Sequence, residues 1–195
     1  QNKSNQESIE TVNDVKMLIQ DKVIEFRRSE FVGPTISSEL LFRGFQAVSF
    51  ALAAILIYIW LRFEWQFGFG AVVALTHDVI FTLGVLSLFN IDFSLASIAA
   101  ILTIAGYSIN DSVVIFDRIR ENLRKYKKLD MIELFNISIN NTLSRTIMTS
   151  ITTLIALFSL YFLGGEVIKP FAFAMVIGVI IGTYSSIFIA VPTLL

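Results

Sequence analysis

Ala105-Gly106-Tyr107-Ser108-Ile109-Asn110-Asp111-Ser112 lies late in a hydrophobic segment that runs from about Leu95 to Phe116. The stretch puts a carboxylate, an amide and three hydroxyl-bearing side chains where a bilayer-spanning helix holds mostly hydrocarbon. An aspartate near the centre of such a helix costs roughly 2.5–3.5 kcal/mol on insertion scales, so it reads as functional and calls for a partner.

Around it the composition is that of an integral membrane protein. Hydrophobic residues make up 55% of the 195-residue chain and charged residues 16%, above the roughly 45–50% apolar content of soluble domains. The chain has no cysteine, which excludes disulfides, thiolate catalysis and cysteine-based metal sites, and the lone His77 cannot assemble a multi-histidine site. No Gly-rich loop ending in Lys-Ser/Thr is present, which argues against a conventional ATPase. No nucleophile–base pair suggests an enzyme, and no cofactor is expected. The net charge of -1 gives no argument for a nucleic-acid partner.

From about Gly44 onward, five segments reach the roughly 20 mostly apolar residues that a membrane helix needs: residues 44–61, 67–89, 95–116, 142–163 and 171–193. The sequence therefore predicts an all-α polytopic bundle over 43–195. Residues 1–42 differ in character. Ile9, Val12, Val15, Leu18 and Ile19 fall at helical spacing between Ser8 and Lys22, Val23–Arg27 reads as a short strand, and Gly33-Pro34 stops it. So short a segment cannot bury an adequate core alone, so it is expected to be the C-terminal part of a small extracytoplasmic α/β domain. The polar start, Gln1-Asn2-Lys3-Ser4, lacks the layout of a signal peptide. A domain outside the cytoplasm would then need an earlier targeting or spanning helix upstream.

Orientation follows from the long connection Asp117–Asn141, which carries Arg118, Arg120, Arg124, Lys125, Lys127 and Lys128. The positive-inside rule puts it in the cytoplasm, which makes the N-terminal segment extracytoplasmic and the C-terminus cytoplasmic. Arg27, Arg28 and Arg43 fall on the outer side, but a folded domain translocates largely regardless of such charge. The basic cluster is also suited to membrane lipid headgroups or a cytoplasmic partner.

On a helical wheel Asp111 shares a face with Ser97, Ala100, Ile104, Tyr107 and Ser108. The following span carries a facing polar stripe of Ser138, Asn141, Thr142, Arg145, Thr149, Thr152 and Thr153. With a helix that starts within Met131–Asn140, Arg145 stands up to about four turns in, and it is the predicted partner of Asp111. The competing reading is an arginine snorkelling to the interface, which leaves the continuation of the stripe past Arg145 unexplained. Asp78 is a second relay candidate, with Ala74 and Thr82 a turn to either side. His77, adjacent in sequence, points about 100° away and reads as packing. Ser108, Asn110 and Thr149 are expected as supporting polar groups. Asp117 reads as an interfacial ion-pair partner of Arg118 and Arg120. Ala174, Gly178, Gly182 and Ser186 form a small-residue ridge for close helix packing, and Pro170 suits a first helical turn.

Together, Val32-Gly33-Pro34 with Glu39-Leu40, Phe63-Glu64-Trp65, Leu75-Thr76-His77-Asp78, Gly106–Ser112 with Asp117-Arg118-Ile119-Arg120-Glu121-Asn122, and Ser144-Arg145-Thr146 resemble the SecF branch of the SecD/SecF family of bacterial protein-export membrane proteins. That family lies within the proton-driven resistance-nodulation-division superfamily. The resemblance runs from about Gly33 to the C-terminus, and Gly106–Asn122 is its most specific part. It implies six spans with a large extracytoplasmic domain between the first two, of which this chain shows five spans and the end of the domain. It further implies residence in the bacterial cytoplasmic (inner) membrane, pairing with SecD, association with the SecYEG channel, and use of the proton gradient to draw a preprotein outward. By motif, Asp111 matches the family's proton-carrying aspartate and Arg145 its basic partner. The residues alone leave two other readings open: proton-coupled efflux of a small hydrophobic or lipidic substrate, and a non-conducting scaffold whose polar residues only join helices.

Overall fold

The computed structural model describes Asp14, Met17, residues 34–91 and residues 94–195. Of the segment read as helix and strand over Ser8–Arg27, only Asp14 and Met17 are described, both helical; the rest, with Gly33, lies outside the described residues. The chain divides into two units, Gln1–Arg43 and Gly44–Leu195, and the second holds the bundle.

Five long helices make it up: α1 Pro34–Arg62, of which Gly44–Arg62 belongs to this unit, α2 Trp65–Leu88, α3 Leu95–Lys125, α4 Met131–Leu163 and α5 Lys169–Ser185. A π-helical turn over Ser186–Ala190 and a 3-10 turn over Pro192–Leu194 continue α5. Five helical stretches, Phe42–Arg62, Trp65–Leu88, Ala96–Lys125, Met131–Leu163 and Lys169–Leu194, are long and apolar enough to cross a membrane.

The ends of these helices have local causes. Pro34 occupies the first turn of α1, where its missing N–H costs little, and the helix starts there rather than at Gly44. At α3, the Ser94 N–H donates to Ser97 Oγ at 3.2 Å, so one of the orphan groups at the helix start finds a partner. Arg124 and Lys125 sit in its last turn, next to the negative end of the helix dipole. Asp130 caps α4 by accepting from the Ile132 N–H at 3.3 Å. After Gly164, Gly165 turns the chain at φ 78°, a left-handed conformation open to glycine at little cost. Pro170 lies in the first turn of α5 as the sequence suggested.

The long connection of the sequence reading shrinks to Tyr126–Asp130. Hydropathy ends at Asp117 because the residues become charged, but the backbone hydrogen-bond ladder does not depend on apolar side chains. Both helices run on as amphipathic extensions. Phe116, Ile119 and Asn122 are buried on α3, and Leu134, Phe135 and Ser138 on α4. Asn122 Nδ2 donates to Ser138 Oγ at 2.8 Å across the joint.

Helix α5 is the central element, packed against α2, α3 and α4. The small-residue ridge explains how. A Cβ on Gly178 would lie 2.3 Å from Ile104, and one on Gly182 would lie 3.1 Å from the Ser108 Cβ, so α3 and α5 approach to near backbone contact. Two apolar clusters fill the interior. One gathers Ile59, Phe63, Phe67, Phe116, Ile119 and Leu134 among others, with Phe116 meeting the Phe63 and Phe67 rings edge-on. The second joins Leu86, Ala100, Ile104, Leu157, Ala174 and Val179.

Candidate functional site

Between the two apolar clusters each of α2, α3, α4 and α5 changes character. On α2 the order is Ala74, Asp78, Thr82, Leu86; on α3 it is Ile104, Ser108, Asp111, Ser112, Ile115, with each of these positions buried. On α4, Thr142, Thr146 and Ser150 separate Phe135 from Leu157, and on α5 Ser185 and Ser186 separate Val179 from Ala190. A buried polar layer thus crosses four helices at one level, and it contains both sequence-predicted carboxylates.

Asp78 is fully buried. Its Oδ2 accepts from Ser108 Oγ at 2.5 Å and from Ser185 Oγ at 2.8 Å, so one carboxylate joins α2 to α3 and α5. Its Oδ1 stands 3.1 Å from His77 Nδ1. The adjacent histidine therefore does reach the carboxylate, while its own side chain remains one-third exposed (33%) and its ring lies near Phe81. Gly182 permits the whole arrangement, because a side chain there would press on Ser108.

Asp111 is differently placed. It is only 3% exposed, yet its Oδ2 is enclosed with no hydrogen-bond partner among the described residues. Adding a proton at that oxygen displaces no donor, whereas protonating Asp78 disturbs a bonded set. Arg145 makes no direct ion pair with Asp111 among the described residues, and its side chain is exposed on this chain. The guanidinium belongs instead to an open cleft shared with Arg62, Asp117 and Thr142.

The predicted face of α3 is the one that packs: Ser97, Ala100, Ile104, Ser108 and Asp111 are all buried, and Tyr107 donates to Thr153 Oγ1 on α4 at 3.3 Å. On α4 the packed seam is rotated from the expected stripe. It runs Ser138, Thr142, Thr146, Ser150, while Asn141, Arg145 and Thr152 are exposed on this chain. Thr149 is half-buried and bonds within its own helix, to the carbonyls of Arg145 (3.1 Å) and Thr146 (2.9 Å). Asn110 is exposed and stands outside the polar layer. Asp117 does form an interfacial ion pair, but with Arg62 of α1 at 3.1 Å, while Arg118 pairs with Glu121 at 2.6 Å.

The residue missed by sequence reasoning is Ser185. The spacing of four that marks the small-residue ridge runs through Ser186, and the neighbour one position earlier turns out to reach Asp78. The Ser150 and Thr183 hydroxyls, 2.6 Å apart, join α4 to α5, although in sequence each is an ordinary hydroxyl in an apolar run.

The family model described as protein export membrane protein SecD/SecF, C-terminal, matches residues 12–195. The protein translocase subunit SecF of Rickettsia rickettsii is 56% identical over 170 residues, covering 87% of this chain and 55% of that protein. SecF of Cereibacter sphaeroides is 57% identical over 170 residues, covering 87% of this chain and 52% of its own length. The chain thus spans about half the length of these relatives. The crystal structure of SecDF from Thermus thermophilus, described as a translocon-associated membrane protein, superposes with a TM-score of 0.87 at 45% identity, over 94% of this chain and 26% of that one. A SecDF structure in a super-membrane-facing form gives 0.77 at 40% identity, over 95% of this chain and 25% of that one.

Proposed function

The chain belongs to the SecD/SecF family of protein-export membrane proteins, and on that premise we propose that it is the membrane-embedded part of a proton-driven accessory subunit of the Sec translocase. In this reading it is a transport protein of the bacterial cytoplasmic membrane, not an enzyme, and needs no cofactor. It works with SecD and the SecYEG channel on an emerging preprotein. The five spans belong to a six-helix set, and residues 1–42 close a small extracytoplasmic α/β domain.

Asp111 carries the proton. Ionised, it attracts Arg145 and favours the approach of α3 and α4; protonated, it loses that attraction and a second helix arrangement gains population. Asp78, held by Ser108 and Ser185, is the fixed carboxylate of the relay and keeps α2, α3 and α5 in register while Asp111 changes charge. The energy is adequate: one proton crossing a potential of about 150 mV releases roughly 3.5 kcal/mol, comparable to the cost of one unpaired charge in a membrane helix. The observation that carries this reading is the enclosed Asp111 carboxylate oxygen with no donor among the described residues, inside a layer where the other carboxylate accepts from two serines and lies beside His77.

The test is Asp111→Asn in the complete protein with its SecD partner. The near-isostere keeps shape but cannot ionise. Proton-gradient-dependent export into inverted membrane vesicles should fall by at least about tenfold, since the ionised partner of Arg145 is lost, while ATP-driven export persists. Unchanged gradient dependence would reject the relay and leave a scaffold role.

A further inference from the structure

Beside the polar layer, where α3 leaves its span, a cleft of about 800 Å³ opens between α3, α4 and the end of α1. Six cationic side chains line it: Arg62, Arg118, Arg120, Arg124, Lys125 and Arg145. Only two acids, Asp117 and Glu121, face them, and both are taken, by Arg62 at 3.1 Å and Arg118 at 2.6 Å. Among the described residues Arg120 finds only the Arg62 carbonyl, at 3.4 Å, Lys125 lies over the Tyr126 ring, and Arg118 Nε is enclosed without an acceptor. An excess of four positive charges around one cavity is repulsive, and a bound anion relieves it.

The wall of the cleft narrows down the kind of anion. Along α3 the lining passes from Val113 and Val114 to Asp117 and the arginines, so the cavity grades from apolar to cationic at the level where a spanning helix meets water. Arginine forks match phosphate oxygens in pairs, and headgroup phosphates concentrate at that level. We propose that this cleft binds an anionic phospholipid, with its phosphodiester held by Arg62, Arg120 and Arg124 and the start of an acyl chain along Val113 and Val114. A free phosphate shares the headgroup chemistry but has no use for the valine wall. The site shares Arg145 with the proposed proton relay, so the test leaves Arg145 in place.

The experiment uses the full-length protein with its SecD partner in detergent, titrated with phosphatidylglycerol, phosphatidylcholine or inorganic phosphate, and followed by thermal unfolding and lipid retention in native mass spectrometry. Phosphatidylglycerol should stabilise and remain bound; phosphatidylcholine and phosphate should not. Arg120→Gln with Arg124→Gln should weaken phosphatidylglycerol binding about thirtyfold, about fivefold for each interfacial cation removed. Lys127→Gln with Lys128→Gln, outside the cleft, should change it less than about twofold. If the double variant does not fold, exposed Arg124→Gln alone should show the fivefold loss. Equal losses from both lysine and arginine pairs, unchanged binding in the arginine variants, or equal stabilisation by inorganic phosphate would each overturn the assignment.

Discussion

At the scale of single residues, the two buried aspartates have opposite relations to their donors. Asp78 accepts from hydroxyls on two other helices, so its bonds are tertiary structure. Removing one donor leaves a buried carboxylate short of a partner, which costs about 1–3 kcal/mol. Ser185→Ala should therefore lower the thermal unfolding midpoint of the purified protein in detergent by that equivalent, and Asp78→Ala, which takes the acceptor from Ser108 and leaves Ser185 only the Gly182 carbonyl at 3.2 Å, should lower it further. Asp111→Ala should cost less than Asp78→Ala in the same measurement, because its enclosed Oδ2 forms no bond to lose among the described residues. If the two aspartates proved equally sensitive, the division into a fixed and a chargeable carboxylate would be wrong. Asp111 was legible in the sequence because a charge in an apolar run is locally anomalous. Ser185 was not, because a serine in a membrane helix is locally ordinary and gains meaning only from what stands opposite it.

The helices show the same division at the scale of elements. All five spans were visible as apolar runs, and the ridge from Ala174 to Ser186 foretold the close packing of α5. It faces Ile104 and Ser108 on α3. Gly178→Ala places a methyl 2.3 Å from Ile104, and such overpacking costs typically about 1–3 kcal/mol. Gly84→Ala meets nothing within 4 Å and should be neutral or gain up to about 1 kcal/mol from helix propensity. Thermal unfolding of the two single variants in detergent separates them; equal behaviour would mean that α3 and α5 do not pack through this ridge. Helix ends were less legible than helix existence. Hydropathy reports where a helix stops being apolar, whereas α3 stops where the backbone ladder does, beyond Asp117 at Lys125. The rotation of the α4 seam from Arg145 to Thr146 has a similar cause: polar type is readable, but which of two adjacent polar residues faces inward depends on the neighbouring helix.

For the whole molecule, the orientation rests on the basic residues around the α3–α4 joint, and the absence of cysteine makes it directly measurable. Lys127→Cys in that joint should react with a membrane-impermeant maleimide only in inverted vesicles, and Glu166→Cys in the α4–α5 loop only in right-side-out spheroplasts. The reverse pattern would invert the topology. The sequence by itself determined that the chain is a polytopic helical membrane protein, which runs are the spans, and that Asp111 and Asp78 are the unusual residues, since hydropathy and buried charge are properties of one segment in one solvent. Only the tertiary structure decided that Asp78 accepts from two other helices while one Asp111 oxygen has no donor among the described residues. That same level of structure brought the arginines of α1, α3 and α4 around one cleft. Hydrogen-bond satisfaction and charge excess are sums over groups distant in sequence, and no single segment contains them.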